Sequence, residues 1–209
     1  PRKHLAMKNH QLYLKDPLHY KILNYPVSSN NAEVEATLRY ELDTFVCEGA
    51  YHEAIRRILQ SFLDNISSGV QPSAWISGFY GSGKSHLIKV LRLLWADHPL
   101  PGDQATPRSL ADLPDDIREL LKSLTTQGRR LGGVHAAGGT LRAGAGHVRE
   151  RLLGLIFKSV GLPEELHASR FLLDLKRDGH LDALRKDFAA RKIDLAAEAR
   201  KLFTSKPLG

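Results

Sequence analysis

The run Gly78-Phe79-Tyr80-Gly81-Ser82-Gly83-Lys84-Ser85 sets glycine, glycine, lysine and serine at the spacing Gly-x-x-x-x-Gly-Lys-Ser, that of loops that wrap the phosphates of a nucleoside triphosphate. The residue types follow from the chemistry. Glycines let the backbone take positive φ and turn its amide hydrogens inward as a nest for the β-phosphate, where side chains would block the approach. A helix opening at Lys84 or Ser85 adds the positive end of its dipole. Lys84 is then the catalytic residue, reaching the β- and γ-phosphates. The Ser85 hydroxyl is the expected Mg²⁺ ligand. The expected nucleotide-binding set is Gly78, Phe79, Tyr80, Gly81, Ser82, Gly83, Lys84, Ser85 and His86, with ATP and Mg²⁺ as cofactors. His86 reads as a first-turn residue giving its backbone amide rather than as a base.

The flanks supply the elements that must position this loop. Ser73-Ala74-Trp75-Ile76-Ser77 is a short β-prone run before the first glycine and predicts the strand of a strand-loop-helix unit. Leu87, Val90, Leu91, Leu94 and Trp95 recur at helical spacing after it, and Asp97-His98-Pro99 ends the run. Upstream, a short helix is predicted from residue 32 to about 42. A brief extended stretch, Phe45-Val46-Cys47-Glu48-Gly49, follows it, and reads either as plain connector packing or as a segment near the base. Ile55, Ile58, Leu59, Phe62, Leu63 and Ile66 then mark the most regular amphipathic helix in the chain. Together these elements predict an α/β fold, an AAA+-like P-loop NTPase core with N-terminal helices and a mostly helical C-terminal part.

Residues 99–114 are rich in Pro, Gly, Asp and Ser and read as a linker or lid-like loop, ahead of a helix over 115–124 with Asp116 near its positive end. Gly132-Gly133-Val134-His135-Ala136-Ala137 is a candidate second parallel strand, with Gly138-Gly139-Thr140 at its carboxyl end, where open α/β sheets place ligands. Gly144-Ala145-Gly146 lacks the third glycine of a dinucleotide fingerprint and reads as a turn before a helix over 148–160. Further helices are predicted over 164–176, 180–190 and 194–203, with breaks at Gly161-Leu162-Pro163 and Asp178-Gly179. The expected organisation is a basic arm over 1–30, an incomplete nucleotide-binding core over 31–160 and a helical segment over 161–209.

Composition bounds the rest. The 209 residues are 42% hydrophobic and 25% charged, those of an ordinary globular chain. No apolar run approaches the ~18 residues of a membrane span, and no apolar stretch follows the basic start Pro1-Arg2-Lys3-His4; no membrane partner is expected. A single cysteine, Cys47, excludes an intrachain disulfide and fits a reducing, cytoplasmic setting. The net charge of +7 and pI near 9.6 suggest a polyanionic partner, with double-stranded DNA as the candidate. Arg2, Lys3, Lys8, Lys15 and Lys21, with Tyr13, Tyr20 and Tyr25 interleaved, form an arm that reads first as a solvated terminus and second as a surface for nucleic acid. Starting on Pro1 and ending on Lys206-Pro207-Leu208-Gly209, the chain reads as a fragment of something longer.

Some chemistry is missing. The ten histidines form no His-x-x-x-His or Cys/His cluster of the kind that binds zinc, and no Gly-x-Ser-x-Gly elbow occurs. Leu172-Leu173-Asp174 imitates an apolar run ending in a metal-orienting aspartate, but its surroundings have helical spacing. Hydrolysis also needs a group to orient water and charge to stabilise the γ-phosphate, and neither is visible.

The phrases Tyr40-Glu41-Leu42-Asp43-Thr44-Phe45-Val46-Cys47-Glu48-Gly49, Gln71-Pro72-Ser73-Ala74-Trp75-Ile76-Ser77-Gly78-Phe79-Tyr80-Gly81-Ser82-Gly83-Lys84-Ser85-His86-Leu87 and Gly132-Gly133-Val134-His135-Ala136-Ala137-Gly138-Gly139-Thr140-Leu141 resemble the N-terminal part of the large P-loop ATPases of bacterial phage-resistance islands, the BrxC and PglY proteins of the BREX and phage-growth-limitation systems. The resemblance runs from about Asp16 to about Phe188. It implies Gly78, Gly81, Gly83, Lys84 and Ser85 as the ATP and Mg²⁺ site. It also implies an ATPase that forms homo-oligomers and works with other BREX and Pgl proteins, including a DNA methyltransferase, to separate host from invading DNA. Two other readings stand beside it: a DNA- or protein-binding platform in which nucleotide is a structural switch, and a nucleotide kinase.

Overall fold

The computed structural model describes residues 32–68, 70–100, 104–139 and 147–202. The expected basic arm over 1–30, Thr140 and Gly144-Ala145-Gly146 lie outside the described residues. The chain divides into two compact units on either side of the Ala136–Ala137 bond.

Among the described residues, the first unit holds five helices: α1 (Ala32–Asp43), α2 (Gly49–Asp64), α3 (Lys84–Ala96), α4 (Pro107–Leu110) and α5 (Asp115–Arg130). Periodicity explains them. Ile55, Leu59 and Leu63 fall on one face of α2 and Ile117, Leu121 and Leu124 on one face of α5, and these two helices pack together. Leu87, Val90 and Leu94 of α3 join the same core, with Leu38 and Leu42 of α1 and Phe45 and Cys47 of the extended connector. Burying a leucine or isoleucine in this way contributes about 1.5–3 kcal/mol each. Asp115 and Asp116 occupy the first turn of α5 and Arg129 and Arg130 its last, the arrangement the helix dipole favours.

This architecture corrects the expected fold class. Among the described residues there is no strand, so the chain is not an α/β, AAA+-like P-loop NTPase core. Residues 73–77, expected as the first strand, form an irregular segment with Trp75 91% exposed; of these, Ile76 packs against the core. The candidate second strand fails for a local reason. Gly132 and Gly133 take φ of 95° and 120°, and the Gly133 amide donates to the Gly128 carbonyl at 2.8 Å. The pair is spent closing α5, a left-handed turn that glycine makes without steric penalty. Val134 then packs against the core from an irregular segment. Extended runs need a neighbouring strand to take their backbone hydrogen bonds, and here helix faces fill the core instead. The expected loop over 99–114 contains α4, which the sequence reading did not place.

Arg108 of α4 ties this unit together. Its guanidinium donates to the carbonyls of Leu94 (2.7 Å) and Trp95 (3.1 Å) at the end of α3, and to the Leu121 carbonyl (3.0 Å) and Thr125 hydroxyl (2.7 Å) of α5. Its backbone amide donates to the Asp97 carboxylate at 2.9 Å. A cation at the carbonyl end of α3 also satisfies the helix dipole.

The second unit contains α6 (Val148–Ser159), α7 (Leu166–Arg177), α8 (Leu181–Ala190) and α9 (Leu195–Lys201). α7 contacts the other three, and Ala168, Leu172, Leu181 and Ala199 form a small core. Asp194 caps α9, its side chain accepting from the Ala196 amide at 2.9 Å. The run Leu172-Leu173-Asp174 lies inside α7, as its spacing predicts. No helix among the described residues is long and apolar enough to cross a membrane.

Candidate phosphate-binding loop

The loop grows from the start of α3. Gly83 is the N-cap residue, with φ 79° and ψ 9°, and no side chain caps the helix. Its carbonyl accepts the first helical bond, from the Leu87 amide at 2.9 Å. The first amides of any helix have no acceptor within it, and α3 has no acidic residue in its first turn. A dipole end with donors and no internal anion is what a phosphate oxygen seeks. Gly81 also has positive φ, 80°, and the Ser82 amide closes a turn onto the Phe79 carbonyl at 3.2 Å.

Lys84 folds back over this loop. Its ammonium donates to the carbonyls of Gly78 (2.8 Å) and Phe79 (2.6 Å) and lies 3.4 Å from the Ser82 hydroxyl. The ammonium is thereby held by the loop's own exposed carbonyls. Ser85 is exposed on the first turn, its hydroxyl free to face a cation. Among the described residues no three His, Cys, Asp or Glu side chains converge. Phe79 is 90% exposed and Tyr80 fully so. Segment 72–76 and α2 border a groove of about 390 Å³ that includes Arg57, Phe62, Trp75 and Trp95, and none of residues 78–86 lines it. The loop is an open surface feature.

His86 turns the other way. Its ring lies 5.9 Å from that of Phe45, and its Nδ1 is buried without a hydrogen bond. Burial pushes its pKa down, Glu41 pulls it up and Lys89 pushes it down again. Of the expected set, residues 78–85 are thus brought together in the loop and the first turn of α3, while the His86 ring packs inward. The Phe45 connector reaches the same region through His86 and through Tyr51, whose ring stacks on Phe45 at 6.0 Å.

Sequence reasoning missed two features. Glu41 and Lys89 form an ion pair with side chains 1% and 7% exposed. Tyr51 donates from its hydroxyl to the Ser82 carbonyl at 3.0 Å. An aromatic residue at the start of an amphipathic helix was the available signal for the second; nothing in the pattern marks the first. Comparison of the chain with protein-family models and with solved structures finds no match to either.

Proposed function

We propose that residues 78–86 bind the phosphates of ATP with Mg²⁺, and that the chain is the ATP-binding region of a phage-defence ATPase of the BREX type it resembles. The observation that carries this reading is the conjunction of Gly81 and Gly83 at positive φ, a helix N-terminus without a side-chain cap, and the Lys84 ammonium held over the turn. A phosphate-binding nest needs backbone donors, a dipole end and a mobile cation; it does not by itself require a sheet. In this reading hydrolysis belongs to a self-assembled ATPase working with other BREX and Pgl proteins on double-stranded DNA. The setting is cytoplasmic, where a lone thiol such as Cys47 stays reduced.

The test is stabilisation by ligand. ATP with Mg²⁺ at about 100 times its dissociation constant raises the unfolding free energy by about 2.7 kcal/mol, and Lys84→Ala abolishes this shift. A melting shift that survives Lys84→Ala refutes the reading. A second reading, a DNA or partner platform with nucleotide as a structural switch, is favoured by the net charge of +7 and by the exposed rings of Trp75, Phe79 and Tyr80, since exposed aromatics stack on unpaired bases. It requires DNA binding that weakens steeply with salt.

A further inference from the structure

The Tyr51 hydroxyl holds the Ser82 carbonyl at 3.0 Å. In a trans peptide the C=O and the following N–H point in opposite directions. Fixing the Ser82 carbonyl toward α2 therefore fixes the Gly83 amide away from it. Contact is close: a Cβ built on Gly83 would stand 1.8 Å from the Tyr51 oxygen. The ring is itself held by its stacking on Phe45, which is buried in the core. The orientation of one loop peptide is thus anchored to the core of the first unit through two aromatic rings.

We propose that Tyr51 is a positioning residue that aims the Gly83 amide at the phosphate chain of a bound polyphosphate. The inference rests on the reading of residues 78–86 as a phosphate site, and deepens it by placing the contact on the phosphates rather than on the base. Its signature is indifference to the nucleoside: ATP and inorganic tripolyphosphate lose the same factor when the hydroxyl is removed.

The experiment measures binding of ATP and of inorganic tripolyphosphate, each with Mg²⁺, by calorimetry to the wild-type chain, Tyr51→Phe and Lys84→Ala. The Gly83 amide is followed by ¹⁵N–¹H correlation spectra. Tyr51→Phe keeps the ring and its stacking, so the fold is retained. The expected result is about fivefold weaker binding of both ligands, the scale of one hydrogen bond, with a smaller ligand-induced shift of the Gly83 amide. Unchanged affinity for both, even with a lowered melting temperature, leaves Tyr51 a structural residue and overturns the inference. A loss seen with ATP alone overturns it as well, since the ring would then be acting on the base. Wild-type binding that Lys84→Ala destroys and Tyr51→Phe spares removes the inference while the phosphate site stands. Failure of the wild type to bind either ligand removes both.

Discussion

Glu41 of α1 and Lys89 of α3 pair inside the first unit, where both side chains are almost completely shielded from water. Desolvating two ions offsets much of their attraction, so the pair adds little net stability, while either ion left alone is costly. Lys89→Met therefore destabilises the fold by about 3–5 kcal/mol, whereas the double change Glu41→Leu with Lys89→Met is far milder than the sum of the single changes. Urea unfolding of the four proteins checks this. A double-variant effect equal to the sum of the two single effects would mean that the pair is not coupled.

Arg108 makes its bonds to carbonyls that end α3 and run along α5. Burial works against its charged form and Asp97 works for it, and the guanidinium stays protonated because its ordinary pKa is so high. Arg108→Met keeps much of the stem and removes the donors from the part-buried Leu94 and Trp95 carbonyls at the end of α3. The expected loss is about 2–4 kcal/mol. Arg108→Lys recovers only part of it, because one ammonium cannot span two helices as the planar fork does. Chemical denaturation curves with unchanged slope establish the ordering wild type, Lys, Met; a Lys variant as stable as wild type would show that charge alone is needed.

The helices were legible wherever burial imposed a period. Ile55, Leu59 and Leu63 announce α2, and the sequence reading set α6, α7, α8 and α9 within about two residues of their observed bounds. The strands were misread because a β-prone run such as 73–77 says nothing about whether a neighbour exists to pair with it. The glycine pair Gly132-Gly133 was read as the start of a strand, yet its backbone freedom serves the end of α5. The short helix α4 had a signal that went unused: Thr106 followed by Pro107, with the Ser109 hydroxyl accepting from the Thr106 amide at 3.1 Å. The loop residues 78–85 could be named from spacing alone because their bonds are local. Tyr51 against Ser82 and Glu41 against Lys89 join segments far apart in the chain, which no single-sequence pattern encodes.

The half-buried ring of His86 gives the fold a sensitivity to mild acid. Burial lowers its pKa below the ordinary 6.5, with Glu41 opposing and Lys89 reinforcing the shift. The unfolded chain thus binds the proton more readily than the folded one. Stability is complete above the unfolded value and falls as pH drops from 6.5 toward the folded value. Urea unfolding at about pH 7.5 and about pH 5.5 should show the wild type losing more stability on acidification than His86→Phe does. Identical losses would assign the acid response to other groups.

Cys47 responds at the opposite end of the scale. Burial, with a smaller push from Asp116, raises its pKa from 9.0 to about 11. The folded thiol keeps its proton where the unfolded one ionises, so this stabilising difference is present below 9.0 and is lost as pH rises toward 11. The thiolate is the reactive form and the side chain is buried. Labelling by a thiol reagent at about pH 8 is therefore expected only at the rate of unfolding. Rapid labelling of the native chain would show that the connector between α1 and α2 opens locally.

Gly83 carries two separable demands. Its φ of 79° lies in the left-handed region, where any residue with a Cβ costs about 1–2 kcal/mol. The Tyr51 hydroxyl also occupies the position its Cβ would take. Gly83→Ala must therefore both strain the backbone and displace Tyr51 from the Ser82 carbonyl. In a Tyr51→Ala background the second demand disappears and the first remains. The same Gly83→Ala change should then destabilise by about 1–2 kcal/mol, less than in the wild type, and the difference is the coupling energy of the two residues. Thermal unfolding of the four proteins measures it. A coupling energy of zero would mean that the tyrosine does not press on the loop, and would remove the steric reason for glycine at this position while leaving the conformational one.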